Sequence, residues 1–307
     1  MTRANVDARI PEDWDGKVYT KIIASSAIEA LATPVTMTMD NKHLPRSAGV
    51  GINVTAKGQN YVEDTLTDDE IVLTARKLTR LVRLAEEDLD DLSGFIDVLD
   101  VKKQDWAGSY SRFLDNACLG VTAAENGTTI PYTSLYNRLT TTDATTGYTA
   151  NANRVQSLTA VALNYDNFND TLGLLEQGDY YDESNLFVIA HPYYKKAMRG
   201  IKDTAGIPIF EIGRAGIPST LFGLPIAWSV GAKTNAVASV APTGNPLLFV
   251  GNREHLLLGK RSGPESVVID GRSGASAISD ETLLKLRARR AFGTVFPQAF
   301  AVLEDIP

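Results

Sequence analysis

The chain's 307 residues suffice for one large domain or two modest ones, and 44% hydrophobic residues supply a real core, which excludes disorder of the whole. Thirty basic against 37 acidic side chains give a net charge of -7, so the overall balance lacks the basic excess of a nucleic-acid binder. The single cysteine, Cys118, excludes an intramolecular disulfide, and no run reaches the roughly 20 apolar residues of a membrane helix.

Residues 1 to about 42 mix charged stretches with a short apolar turn at Ile22, Ile23, Ile28 and Leu31, and this segment alone buries little. It reads either as a frayed terminus or as an arm that gains order on a neighbouring subunit. From Val50 to Lys57, Val50, Ile52, Val54 and Ala56 alternate with polar or small residues, which predicts a half-exposed strand followed by a turn at Gly58-Gln59-Asn60. A second extended run, Ile71 to Leu84, carries Arg76, Lys77, Arg80 and Arg83 between apolar positions. Together the two runs predict a long two-stranded arm, which needs other strands or a partner surface to hold it.

The acidic stretch Glu86, Glu87, Asp88, Asp90, Asp91 suits the positive end of a helix dipole better than a metal site, since no ligand spacing with a loop glycine accompanies it. From Asp97 to Val121 the apolar positions Leu99, Trp106, Tyr110, Phe113, Leu114, Ala117, Cys118 and Val121 predict one long amphipathic helix ending near Gly120. Residues 122 to 153, rich in Thr, Asn, Ala and Gly, read as surface loops. A second folded region follows: a helix over Asn164 to Gln177 with Phe168, Leu172 and Leu175 on one face, a buried strand over Leu186 to Ala190, and a helix over Pro192 to Gly200. Short strands are predicted at Leu247 to Gly251, Leu256 to Leu258 and Ser266 to Ile269, with Asp270-Gly271 as a turn. Thr282 to Arg290 alternates as a strand, and Ala299 to Leu303 is the last. Strands and helices alternate, so the class is α+β or α/β.

Catalytic patterns are absent from the sequence. His43, His191 and His255 stand apart without metal-ligand spacing, and His191 before Pro192 reads as a helix-start residue rather than a base. Gly49-Val50-Gly51 opens like a dinucleotide loop, but Val54 occupies the place of the third glycine. The basic patch Lys285, Arg287, Arg289, Arg290 suits phosphate, solvent or an adjacent subunit equally.

The order of segments resembles the major capsid proteins of tailed phages with the Hong Kong 97-type fold. The run from Arg76 to Gly120, with LTRLVRLAEEDLDDL and FLDNACLG, is similar to that family's passage from extended loop into spine helix. NLFVIAHPYYKKAMRGIKDTAGIPIF resembles its strand and proline-started helix, and STLFGLPIAWS its leucine-glycine-proline-valine strand, with Ile226 in the final position. PLLFVGNREHLLLGKRSGPESV and LLKLRARRAFGTVFPQAFAVLE resemble its closing strands, with Pro297, Ala299 and Phe300.

The resemblance implies an α+β fold with an N-terminal arm (1–42), an extended loop (43–80), a peripheral domain (81–153 and 255–292) containing a spine helix (97–121), and an axial domain (154–254 and 293–307). It implies a shell protein, not an enzyme, with no cofactor or metal, whose pentamers and hexamers close into an icosahedral virion capsid. The implied partners are further copies of itself, a portal protein and packaged double-stranded DNA bound without sequence specificity, with no membrane. Only about 42 residues precede the loop, so a separate scaffolding protein is expected, with assembly in the host bacterial cytoplasm. Inter-subunit cross-linking in the prototype makes Lys57 the candidate donor here, with no asparagine partner or catalytic carboxylate identified. Two other readings stand beside this one: an encapsulin-like nanocompartment shell, expected to start with an internal helix, and a cytosolic α/β enzyme with an unrecognised site.

Overall fold

The computed structural model describes residues 25–47, 52–63, 69–92, 97–157, 163–202, 220–269 and 280–306. The elements run α1 (Ala27–Leu31), β1 (Thr33–Thr36), β2 (Asn41–Arg46), β3 (Asp69–Thr74), β4 (Arg76–Ala85), α2 (Glu86–Leu92), α3 (Val98–Leu119), α4 (Leu135–Thr140) and β5 (Arg154–Gln156). They continue with α5 (Tyr165–Glu176), β6 (Leu186–Ala190), α6 (Tyr194–Gly200), β7 (Thr220–Leu221), β8 (Leu224–Trp228), β9 (Leu247–Asn252), β10 (Leu256–Ile269), β11 (Glu281–Thr294) and β12 (Phe300–Glu304). Two compact units result: Thr79–Gly108 with Ser266–Arg287, and Ala24–Leu78 with Ser109–Glu265 and Ala288–Pro307.

The larger unit is built on a six-stranded sheet ordered β5-β12-β9-β6-β8-β7. Its three central strands, LFVIA, LLFVGN and FAVLE, are buried at every position. Such unbroken apolar runs are what a strand covered on both faces requires. Residues two apart on these strands, Val188 and Ala190, Leu248 and Val250, Ala301 and Leu303, share a core with Phe168 and Leu175 of α5 and Tyr194 and Met198 of α6. Each fully buried Leu, Val or Phe there contributes about 1.5–3 kcal/mol. Asn164 caps α5 with a capping box shared with Asn167, so the helix begins at Tyr165, one residue inside the predicted boundary. The segment TLFGLPIAW, residues 220–228, forms a hairpin as well as a strand: Phe222 and Gly223 take φ of 50° and 86°, the two-residue turn that matches strand twist.

A four-stranded sheet has the order β1-β10-β11-β4. The alternation predicted for Thr282 to Arg290 is present, with Thr282, Leu284, Leu286 and Ala288 buried and Leu283, Lys285, Arg287 and Arg289 half-buried. The two strands predicted at Leu256 to Leu258 and Ser266 to Ile269 are one continuous 14-residue strand. Gly259, Gly263 and Pro264 interrupt the apolar pattern between them without breaking the ladder. The predicted turn at Asp270-Gly271 lies outside the described residues.

Three expectations are corrected. Residues 52–57 form no strand, and β3 pairs instead with Asn41–Arg46, a polar segment containing Pro45 that lacks strand propensity. The stretch 122–153 is not surface loop throughout: Ile130, Tyr132, Leu135, Tyr136 and Leu139 are buried, and α4 lies within it. The end of the expected arm is ordered within the chain itself, since Ile28 is fully buried and Met37 nearly so; residues 1–24 lie outside the described residues.

Helix α3 ends at Leu119, as predicted. Its first half is largely solvated, whereas Tyr110, Ser111 and Leu114 through Leu119 are buried around the whole circumference. An enclosed helix must find internal partners for its polar side chains. Cys118 lies fully buried there as a small apolar residue. Gly120 terminates the helix where a Cβ would fall 1.9 Å from the Lys233 carbonyl oxygen.

Candidate interaction surfaces

The β2–β3 hairpin carries the most exposed apolar side chains of the described chain. On its inward face Leu44 stands opposite Ile71, and both pack with Leu73, Leu257 and Ala291. Arg46 follows at the mouth of the loop, with 8% of its side chain exposed. Its Nη2 donates to Asp69 Oδ2 at 2.6 Å and to Asp143 Oδ2 at 3.1 Å, and its Nη1 donates to the Val295 carbonyl at 2.9 Å. The guanidinium beside Asp69 holds that carboxyl below its ordinary value. A planar fork with several fixed acceptors restricts motion more than a point charge would, so the loop springs from a rigid base.

Beyond this base the side chains find no cover among the described residues. Ile52 is 97% exposed, Val54 102%, Tyr61 92% and Val62 65%. A cluster of this kind, unlike scattered surface apolars, marks an interaction surface. Lys57 is exposed between them, in a turn closed by the Gln59 N–H donating to the Ala56 carbonyl at 3.1 Å. Gly58 occupies that turn at φ +85°, where a side chain would be strained.

Two polar clusters, one buried around Asp115 and one partly buried around Glu29, anchor α1. Asp115 on α3 accepts from Ser26 Oγ at 2.5 Å, Ser229 Oγ at 2.5 Å, Ala27 N at 3.1 Å and Ile28 N at 3.2 Å. Burial pushes its carboxyl up, and the four donors oppose that rise. Glu29 Oε1 accepts from Tyr110 Oη at 2.9 Å and from Arg290 Nε and Nη2 at 2.9 and 2.8 Å. Arg290 also donates to the Ser262 carbonyl at 2.5 Å. It is therefore no member of the surface basic patch expected over Lys285 to Arg290. Sequence reading missed both clusters, yet a carboxylate at 115, between Leu114 and Ala117 of the apolar face, was the available sign of a buried acceptor.

The remaining candidates are not brought together. His43 meets Glu70 at 3.0 Å on the exposed face of the hairpin. His191 follows β6, its Nδ1 accepts from Tyr193 N at 3.1 Å, and burial with the nearby Lys233 charge pushes it down to about 4. His255 lies against Tyr180 and Phe296. Arg76 pairs with Glu125, Arg83 with Glu281. Among the described residues no group of three or more His, Cys, Asp or Glu could hold a metal ion, and no helix is long and apolar enough to cross a membrane.

The family model described as "Phage capsid family" matches residues 8–305. No curated protein matches the chain. Among solved structures the chain is similar to one from Microbacterium phage Oxtober96, with TM-score 0.72, 17% identity and 99% of each chain covered. A structure from Mycobacterium phage Ogopogo gives TM-score 0.73 at 18% identity, covering 98% of each chain. A third, the capsid of an empty GTA particle computed with C5 symmetry, gives 0.72 at 15% identity over 98% of this chain and 96% of that one. At these identities the structural likeness establishes the fold.

Proposed function

This chain belongs to the phage capsid family, and we propose that its copies join as pentamers and hexamers that close an icosahedral shell around packaged double-stranded DNA. It is a structural shell protein rather than an enzyme, and a component of the virion capsid. The observation that supports self-association most directly is the loop of Ile52, Val54, Tyr61 and Val62, exposed on a base held rigid by Arg46. Apolar groups so placed gain free energy only when another surface covers them, and in a shell that surface is a second copy.

Within this reading the segments take the shell positions of an N-terminal arm (1–42), an extended loop (43–80), a peripheral domain (81–153 and 255–292) and an axial domain (154–254 and 293–307). Assembly in the host cytoplasm engages a separate scaffolding protein and a portal, and DNA is held without sequence specificity. Exposed Lys57, in the loop turn, is the candidate donor for a covalent link between subunits, its amine displacing ammonia from an asparagine carboxamide of another copy to form an isopeptide bond. Denaturing gels of mature shells test it: a ladder that Lys57→Arg abolishes is expected, and wild-type subunits running only as monomers would refute it.

Replacing Ile52 and Val54 by Asp tests the loop's part. Both side chains are solvent-exposed in the free chain, so the melting temperature is expected to stay unchanged while light scattering loses the large particle. Assembly of the double variant at the wild-type yield would contradict this role.

A further inference from the structure

We propose that the open edge of β4 docks on the acidic helix α2 of a second copy, with Arg80 facing Glu87 and Asp88, a head-to-tail contact that rests on the shell reading above. β4 is an outer strand of its sheet, paired on one side to β11, and among the described residues no strand covers its other edge. An open edge offers unpaired backbone groups to any partner, and natural proteins guard such edges with Pro, bulges or charges. The segment RKLTRLVRLA has neither Pro nor Gly. Thr79, Arg80, Leu81 and Arg83 are exposed along it, Leu81 by 47%. Its guards are cations.

The helix that follows directly, EEDLDDL, presents Glu87 and Asp88 to solvent. Arg83 is occupied by Glu281, and Glu86 accepts from Thr282. Arg80, Glu87 and Asp88, by contrast, take part in no ion pair among the described residues. They do not satisfy one another within one copy, because the five steps from Arg80 to Ala85 in an extended strand span roughly 17 Å, beyond an arginine's reach.

A second β4 is the wrong occupant, since edge-to-edge pairing sets arginines against arginines, and like charges directly opposite repel. The acidic helix of another copy is complementary instead. Every copy carries both halves, so the contact is heterologous, the kind that closes into rings when the rotation allows it.

The test is a charge exchange in the full chain, under conditions where the wild type forms shells: Arg80→Glu, then Glu87→Lys with Asp88→Lys, then all three together. Sedimentation and electron microscopy read the shell yield, and circular dichroism verifies that each subunit is folded. Each reversal alone is expected to lower the yield at least about tenfold, because juxtaposed like charges disfavour docking strongly. The combined variant is expected to recover to within about threefold of wild type, the signature of direct coupling. Single reversals that assemble normally would overturn this contact, and so would a folded combined variant as defective as its parents. In both cases wild-type shells would leave the family function standing. A wild type that never forms shells would refute the shell reading and this contact with it.

Discussion

Replacing Asp115 by Ala removes the acceptor that ties α1 to α3. The wild-type carboxylate takes four donors at 2.5–3.2 Å. The two serine hydroxyls can turn toward other acceptors, but the Ala27 and Ile28 amides are fixed at a helix N-terminus and cannot. Each buried donor left without a partner costs about 1–3 kcal/mol, and relief of the carboxylate's own desolvation offsets part of this. The net expectation is a loss of about 2–4 kcal/mol. Urea denaturation of the unassembled subunit measures it, with limited proteolysis around Ser25–Leu31 as the local readout. Asp115→Asn keeps one acceptor oxygen and should fall between the two. An Ala variant within about 0.5 kcal/mol of wild type, the range of ordinary surface substitutions, would show that the cluster does not anchor the helix.

Arg46→Met leaves the Asp69 and Asp143 carboxylates and the Val295 carbonyl without their shared donor, so proteolytic cleavage in residues 47–68 and amide exchange in β2 and β3 should accelerate. Unchanged rates would contradict a rigid base. Gly120→Ala drives a Cβ into the Lys233 carbonyl and should cost about 1–3 kcal/mol in urea denaturation; a neutral effect would mean that the backbone gives way easily. His191 titrates at about 4 when folded, below the ordinary value near 6.5 of an unfolded histidine. Its folded value being depressed, stability is complete above about pH 6.5 and declines as pH falls toward about 4. Because the ring is partly solvent-exposed, the loss is roughly 1–2 kcal/mol, and His191→Asn should flatten that segment of the pH profile.

What was legible followed directly from periodicity. The runs LFVIA and LLFVG are apolar throughout because both faces of the central sheet are covered, and α3 and α5 announce themselves by spacing and cap. The hairpin was misplaced for a physical reason. Val50 to Lys57 has the better strand pattern, but residues 52–57 find no ladder partner among the described residues, while polar NKHLPR is held by register with β3 and by Arg46. The ionic anchors escaped because Ser26, Asp115 and Ser229, like Glu29 and Arg290, are distant in sequence and meet only through the fold. Exposure of Ile52, Val54 and Tyr61 was equally invisible, since an alternating apolar pattern predicts cover and these side chains stand in solvent in the single chain.

The most direct measurement is electron microscopy of the purified protein, expressed with and without its neighbouring genes. Closed icosahedral shells are expected. A stable monomer or dimer under every assembly condition would contradict the account.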